Sequence, residues 1–453
     1  MNEKKAIVVG AGLVGTLWAI LLAKRGYTVE VYERRGDIRK ADIVGGRSIN
    51  LAMSTRGWKA LEKAGIKDKI REVAIPMPGR KMHSTSGELI FQPYSSDGQS
   101  IYSVSRAGLN LELMNIADQF DNVHFFFHHK CHGLDTRQIT LSFEDEHGQV
   151  KEVSAPLIFG TDGAYSAIRS SLQRTPRFNY AQQFLDYGYK ELRIPPSPEG
   201  DFAMDKNALH IWPRGRFMLI GLPNQDKSFT GTLFLPFEGA VSFENLNTDE
   251  EIMNFFEEYF PDAIPVMPEL LHDFHNNPTS PLVTIRCSPW QYKNRVLLMG
   301  DASHAIVPFY GQGMNSGFED CSLLDDLCDR YEENWDAIIP AFNNTRITDA
   351  NAVADLALRN FIEMRDLVSD PQFLLRKKIE KHLEQKFPDQ FLSVYSMVTF
   401  SHIPYHEALE ETSAQDKLFQ KILAIEDIEE KWNSTAVDHL FLDWIEQQNL
   451  VAQ

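Results

Sequence analysis

Three short stretches hold residues whose types and spacing suit chemistry on a phosphorylated ligand. The first is Gly10-Ala11-Gly12-Leu13-Val14-Gly15, between the apolar run KKAIVV and the helical pattern TLWAILLAKRG. Gly10 permits a tight turn, Gly12 lets a pyrophosphate approach the backbone, and Gly15 lets strand and helix pack closely. The helix start then turns free N–H groups and a positive dipole end toward the phosphates. The next strand, TVEVYE, ends at Glu33, where a carboxylate suits ribose hydroxyls. Arg34 and Arg35 follow, either as contacts for adenine or phosphate or as a solvated surface pair.

The second stretch is GTDGAYSAIR, which follows the apolar run APLIF and carries Asp162 and Arg169. The third is GDASHAIVPFYGQGMNSGFED, residues 300–320. Asp301 at a strand end suits acceptance from a row of hydroxyls. Gly311 and Gly313 let backbone N–H groups approach a ring and a phosphate at the following helix start.

The elements that must position these groups alternate along the chain. The first 75 residues read as strand, helix, strand, helix. Residues 76–100 read as a hairpin around Ser86-Gly87, and residues 105–120 as a helix. Strands follow at VHFFFHH, at ITLSFEDEHGQVKEV with a turn at His147-Gly148, and at LIFGTDG. From about 176 to 285 the pattern is a meander, and the buried-strand pattern returns at RVLLMGD. After 317 nearly everything reads as helix, apart from an extended stretch near 391–404. The predicted class is α/β: a Rossmann-like dinucleotide domain (1–75, 101–175, 286–345), an inserted β-sheet substrate domain (76–100, 176–285) and a helical C-terminal region (346–453).

With 453 residues, 43% hydrophobic and 24% charged, the chain can bury a large core over two or three domains. A net charge of -18 excludes the basic footprint of a nucleic-acid binder. Residues 6–23 are uncharged and superficially fit a signal peptide or short span, but the spaced glycines favour strand, turn and helix. The C-terminal stretch AVDHLFLDWIEQQNLVAQ is interrupted by charge, so no membrane anchor is expected. Four cysteines without C-x-x-C spacing predict a reducing compartment, the cytoplasm. HFFFHHKCH (124–132) holds four His and one Cys, but strand alternation puts His124 and His128 opposite His129, so no metal site is expected.

In order and separation, the three stretches resemble the three fingerprints of the flavin-dependent aromatic hydroxylases, the class A monooxygenases. The resemblance implies FAD as cofactor, with NADPH and dioxygen as co-substrates. It carries Gly10, Gly12, Val14, Gly15, Glu33, Arg34, Ala52, Asp162, Gly313, Met314 and Asn315 to FAD, and Asp301 to its ribityl chain. Arg47 in GGRSINLA and Arg106 in YSVSR match family positions near the flavin. In this family a flavin hydroperoxide delivers an electrophilic oxygen to an electron-rich ring, so no protein nucleophile is expected.

Further strings, among them GRSINLA, YGYKEL, NALHIWP, VPFYGQGMN and YSMVTFS, resemble the kynurenine-hydroxylating members of the family. The implied reaction converts L-kynurenine to 3-hydroxykynurenine in tryptophan degradation. Such a substrate needs a clamp for its carboxylate and a dry slot for its ring. Arg80 and Tyr94 flank the hairpin at Gly87 and are predicted as near cross-strand neighbours on one face. An Arg fork and a Tyr hydroxyl suit a carboxylate; the plainer reading is a surface cation–aromatic pair. Asn360, Glu363 and Met364 fall at i, i+3 and i+4 on a helix side continued by Val353 and Ala357. Polar groups buried there need partners, which a substrate carboxylate or ammonium would provide; an exposed helix edge is the alternative. The resemblance sends Asn360 and Tyr395 to the carboxylate, and Met364, Phe234, Pro308 and Phe309 to the ring slot. Glu363 organises the pocket or faces the amino group. A hydroxylase of another aromatic acid and a flavin-binding redox sensor remain alternatives at this stage, and the oligomeric state is open.

Overall fold

The computed structural model describes residues 4–40, 50–95, 98–364 and 370–451, with side chains through Gln448. Its first layer is a six-stranded sheet in the order Gln291–Tyr292, Val296–Leu298, Leu157–Gly160, Lys5–Val9, Thr28–Tyr32, Val123–Phe126. All neighbours are parallel except the first pair. Parallel strands are covered on both faces, which is why they read as unbroken apolar runs. The chain moves to one side of Lys5–Val9 through Thr28–Tyr32 and to the other through Leu157–Gly160. That reversal opens a crevice at the carboxyl ends, the usual ligand position in open α/β sheets. Gly10, Glu33, Thr161 and Gly300 all lie at those ends.

The uncharged run 6–23 is the strand Lys5–Val9 and the helix Leu13–Lys24. From Gly15 to Ala23 the helix is buried on every side, with Trp18 edge-on to Phe159 at 5.3 Å. Each large apolar side chain buried in this way contributes about 1.5–3 kcal/mol.

A second sheet has seven strands, in the order Ser280–Ser288, Asn179–Ile194, Phe229–Pro236, Met218–Pro223, Leu209–Pro213, Gly79–His83, Leu89–Pro93. Alternation along each strand feeds two cores. Leu233, Leu235 and Trp212 pack against the helices Asp249–Tyr259 and Leu270–Asn276. Phe234 and Ile211 face the other way, toward Phe309, Phe361 and Met364.

Several sequence expectations are corrected. The meander over 176–285 also contains those two helices, although the Thr248/Glu251 capping box is a readable signal. It also contains the sixteen-residue strand Asn179–Ile194. The hairpin turns about Ser86, so Arg80 pairs with Gln92 and not with Tyr94. Tyr94 lies just beyond the strand and donates its N–H to the Pro78 carbonyl at 3.0 Å. The strand with the histidine run ends at Phe126, and His128 has a left-handed backbone (φ 57°), so simple alternation does not extend to it. No metal-holding cluster occurs among the described residues. The extended stretch at 391–404 contains the helix Val394–Phe400, capped by the Ser393 hydroxyl, which accepts from the Ser396 N–H at 3.3 Å. The break expected at 345/346 falls inside the continuous helix Trp335–Ile362.

C-terminal helices Pro371–Lys386, Tyr405–Leu423 and Thr435–Val451 enclose a separate core that includes Ile379, Leu418 and Phe441. Among the described residues no helix is long and apolar enough to cross a membrane. All four cysteines are free.

Candidate active site

At the first turn, a Cβ on Gly15 would stand 2.1 Å from the Gly10 carbonyl oxygen, and one on Gly10 would stand 2.6 Å from that of Thr161. These two glycines are required by the fold itself. Gly12 differs: a Cβ there would meet nothing within 4 Å. The space above its backbone is open, at the start of a helix whose first N–H groups have no partner within the helix. Glu33 is buried; its Oε2 accepts from the Ala11 N–H at 3.0 Å and its Oε1 from the Arg35 Nε at 2.8 Å. Glu33 is therefore tied to the glycine turn, while Arg34 is exposed beside it.

The second motif proves largely internal. Asp162 Oδ2 accepts from the Ala167 N–H at 2.7 Å, capping the helix Ala167–Leu172. Its Oδ1 is buried without a partner, and burial raises its pKa above the ordinary value. Arg169 is buried and donates to the Ala302 carbonyl at 2.8 Å, so the second motif holds the third.

In the third motif, Gly300 has φ 58° and donates its N–H to Asp320 Oδ2 at 2.9 Å. Asp301 is exposed and makes no hydrogen bond or ion pair among the described residues, leaving both oxygens free to accept. The helix Gly313–Arg330 starts where a Cβ on Gly313 would touch only Ile306, at 3.9 Å. The Asn315 side chain is occupied within the chain, which leaves its backbone at the helix start as the part that can face a ligand. Its Oδ1 accepts from the Ser54 N–H at 2.9 Å, and its Nδ2 donates to the Ala52 and Gly311 carbonyls at 2.8 Å each. Asn315 and Ala52 thus build the floor, and Met314 is buried beside them. Arg106 is exposed at the start of the helix Arg106–Ala117. Arg47 lies outside the described residues. Open backbone at Gly12, unpartnered Asp301, and two helix starts on one sheet edge together fit a dinucleotide such as FAD.

Beside this edge lies a cavity of about 500 Å³, lined among others by Arg80, Tyr94, Tyr310, Asn360, Met364 and Tyr395. The Arg80 Cζ sits 4.9 Å from the ring centroid of Tyr395 and 5.2 Å from that of Tyr94. Tyr395 stacks between Tyr94 at 5.5 Å and Tyr310 at 5.7 Å. Arg80 Nε and Tyr94 Oη are buried without a hydrogen-bond partner, and no carboxylate pairs with Arg80 among the described residues. Burial works against the Arg80 charge, yet its neighbours Tyr395 and Tyr94 hold its pKa above the ordinary value. Burial also drives the Tyr94 and Tyr310 phenols well upward, so both stay neutral donors. Arg80 as a whole is half-buried, but its Nε is sealed from water and unsatisfied, and a carboxylate entering the cavity would supply the missing acceptor.

Other expected substrate residues divide. Asn360 lines the cavity, but its Nδ2 donates to the Phe309 carbonyl at 2.7 Å, so its amide braces the loop. Glu363 also lines it and accepts from Arg359 Nε at 3.1 Å, not from an open position. Phe234 and Phe309 stand 5.0 Å apart in one core with Met364, behind the lining rather than in it. Pro308 is exposed. Tyr310 escaped the sequence reading although it lies inside the quoted VPFYGQG stretch. Arg359 and Gln415 also line the cavity, and only the docking of C-terminal helices brings them there.

The FAD binding domain family matches residues 3–334. The chain is 48% identical over 444 residues to kynurenine 3-monooxygenase of Flavobacterium johnsoniae, covering 98% of this chain and 99% of that protein. It is 45% identical over 421 residues to kynurenine 3-monooxygenase of Sus scrofa, covering 92% of this chain and 88% of that protein. Among solved structures, the tetrameric form of 2-methyl-3-hydroxypyridine-5-carboxylic acid oxygenase is similar in fold. It superimposes with a TM-score of 0.65 at 19% identity, covering 81% of this chain and 94% of that one.

Proposed function

From the premise that the chain belongs to the kynurenine 3-monooxygenase family of FAD-binding proteins, we propose which of its residues bind and orient the substrate. The chain is an FAD-dependent oxidoreductase that hydroxylates kynurenine, with NADPH and dioxygen as co-substrates. The observation that carries the site assignment is the half-buried Arg80 cation, which pairs with no carboxylate among the described residues and lies between the rings of Tyr94 and Tyr395.

Arg80 receives the substrate carboxylate, and Tyr94 and Tyr395 add neutral donors. The remainder of the cavity, toward Met364 and the Phe234–Phe309 core, takes the aminophenyl ring. FAD, when bound, would carry electrons from NADPH to dioxygen, so that one oxygen atom of dioxygen reaches the ring and the other leaves as water. Gly12, Glu33, Asp301 and the Gly313 helix start hold it. Anchoring the carboxylate leaves the ring little freedom, and that orientation is the main contribution of the chain to the rate. The apolar core of Phe234, Phe309, Phe361 and Met364 excludes water on the ring side of the cavity.

The segments 1–75, 101–175 and 286–345 serve the flavin, 76–100 with 176–285 serve the substrate, and the C-terminal region 346–453 completes the substrate pocket. The helix Trp335–Ile362 belongs to both parts. Four free cysteines, three of them buried, suit a reducing compartment such as the cytoplasm. The acidic balance suits no nucleic-acid partner. The reading is tested by NADPH oxidation and product formation across kynurenine, anthranilate and phenolic acids. Tight coupling with kynurenine alone supports it, and equal or better coupling with another acid overturns it.

A further inference from the structure

Arg56 lies in the first turn of the helix Thr55–Ala64, on the flavin side of the molecule, and is 1% exposed. Its guanidinium points away from the flavin edge into the C-terminal region. Nε donates to the Val398 carbonyl at 3.2 Å, and Nη2 to the carbonyls of Met397, at 3.5 Å, and Ile403. Its Cζ stands 3.9 Å over the Tyr405 ring. Val398 and Met397 belong to the last turns of the helix Val394–Phe400, whose closing carbonyls have no partner within the helix. A cation there is favoured by the helix dipole as well. Tyr395, which meets Arg80, is in the first turn of that same short helix.

The other side of the guanidinium is equally committed. Nη1 pairs with the Glu319 carboxylate, which also lies 2.9 Å from Arg346. Arg346 Nε donates to Asp320 Oδ1 at 2.7 Å, and Asp320 in turn accepts from the Gly300 N–H. A buried row of charges therefore runs from the turn before Asp301 to the helix that carries Tyr395. Buried ion pairs add little net stability, so such a row is better explained by the geometry it fixes.

We infer that Arg56 is a positioning residue for the substrate clamp. By gripping the carboxyl end of the helix Val394–Phe400 it fixes where Tyr395 meets Arg80 and Tyr94, and so sets affinity for the substrate carboxylate. Arg56 touches neither ligand. If Arg80, Tyr94 and Tyr395 receive the carboxylate as proposed above, Arg56 acts on binding and not on oxygen transfer. The planar fork matters: one lysine ammonium cannot reach Glu319 and three carbonyls while lying flat on Tyr405.

The test uses FAD-loaded Arg56→Lys, Tyr395→Ala and the double variant, with Arg80→Ala as control. Flavin content, KM for kynurenine and kcat are measured for each. Arg56→Lys should raise KM roughly tenfold with kcat within about twofold, and should add nothing in the Tyr395→Ala background. An unchanged KM, or the same rise without Tyr395, overturns the inference. If Arg56→Lys does not fold or retain flavin, Glu319→Gln loosens the same grip. It should give a smaller KM rise, again absent without Tyr395, and no rise overturns the inference equally. An unchanged KM in Arg80→Ala would instead overturn the clamp itself, whatever Arg56→Lys does.

Discussion

The Arg80 guanidinium lies 4.9 Å from the ring of Tyr395, joining an edge hairpin of the large sheet to a helix of the C-terminal region. Among the described residues no carboxylate pairs with Arg80. Removing Arg80 should therefore cost the substrate its charge-assisted contact while leaving the flavin cradle untouched. Arg80→Ala is expected to raise KM for kynurenine about a hundredfold, as losing a buried charge partner does. Flavin content should stay stoichiometric by absorbance. An unchanged KM would remove the clamp.

Asp301 has no partner among the described residues, so Asp301→Ala should change apoprotein stability by less than about 0.5 kcal/mol. It should nevertheless lose FAD. Thermal melts with and without added FAD separate the two effects. A fully yellow, stoichiometric holoprotein would contradict the ribityl role.

Gly12 and Gly15 should behave oppositely. A Cβ at Gly12 meets no atom within 4 Å, and its φ of -77° suits any residue. Gly12→Val should fold normally and bind FAD poorly. Gly15→Ala places a methyl 2.1 Å from the Gly10 oxygen and should destabilise the apoprotein itself. Urea unfolding of both apoproteins distinguishes them; equal destabilisation would mean that Gly12 serves the fold and not a ligand.

His210 gives the protein an acid-sensitive point. Burial first, with His83 and Lys81 nearby, pushes its pKa down to about 4, despite the bond from Nε2 to the Asp205 carbonyl at 2.8 Å. Its Nδ1 faces His83 Nε2 at 2.9 Å, and His83 is held by Asp262 at 2.6 Å. An unfolded histidine takes its proton near 6.5, so between about 6.5 and 4 the unfolded chain binds more protons. The stability is complete above that window and lost as pH falls through it, roughly 2 kcal/mol between pH 7 and pH 5. His210→Gln should flatten that part of the urea midpoint profile. An identical profile would assign the slope elsewhere.

What the sequence made legible follows from how local each signal is. The glycine turn, Glu33 and Asp301 sit at ends of strands that announce themselves by apolar runs, so their placement needed no tertiary knowledge. The hairpin carrying Arg80 was visible, but its register depends on the turn from Ser84 to Glu88, where Gly87 takes φ 82°. Its centre was therefore misplaced by one residue. The helix Val394–Phe400 was read as extended because its β-branched and aromatic residues carry little helical preference. Burial and the grip of Arg56 on its carbonyls override that preference. The Nδ2 groups of Asn360 and Asn315 donate to carbonyls of loops that periodicity does not place, so this bracing role is not legible in the sequence.

The central claim is that the cavity beside the flavin edge holds kynurenine by its carboxylate and exposes its ring to one oxygen atom. The most direct measurement is mass spectrometry of the product formed by the FAD-loaded protein from kynurenine, NADPH and isotopically heavy dioxygen. The account predicts 3-hydroxykynurenine carrying one heavy oxygen on the ring, formed in step with NADPH consumed and abolished in Arg80→Ala at low substrate concentration. NADPH consumed with only hydrogen peroxide released, or a hydroxylated product without heavy oxygen, would contradict it.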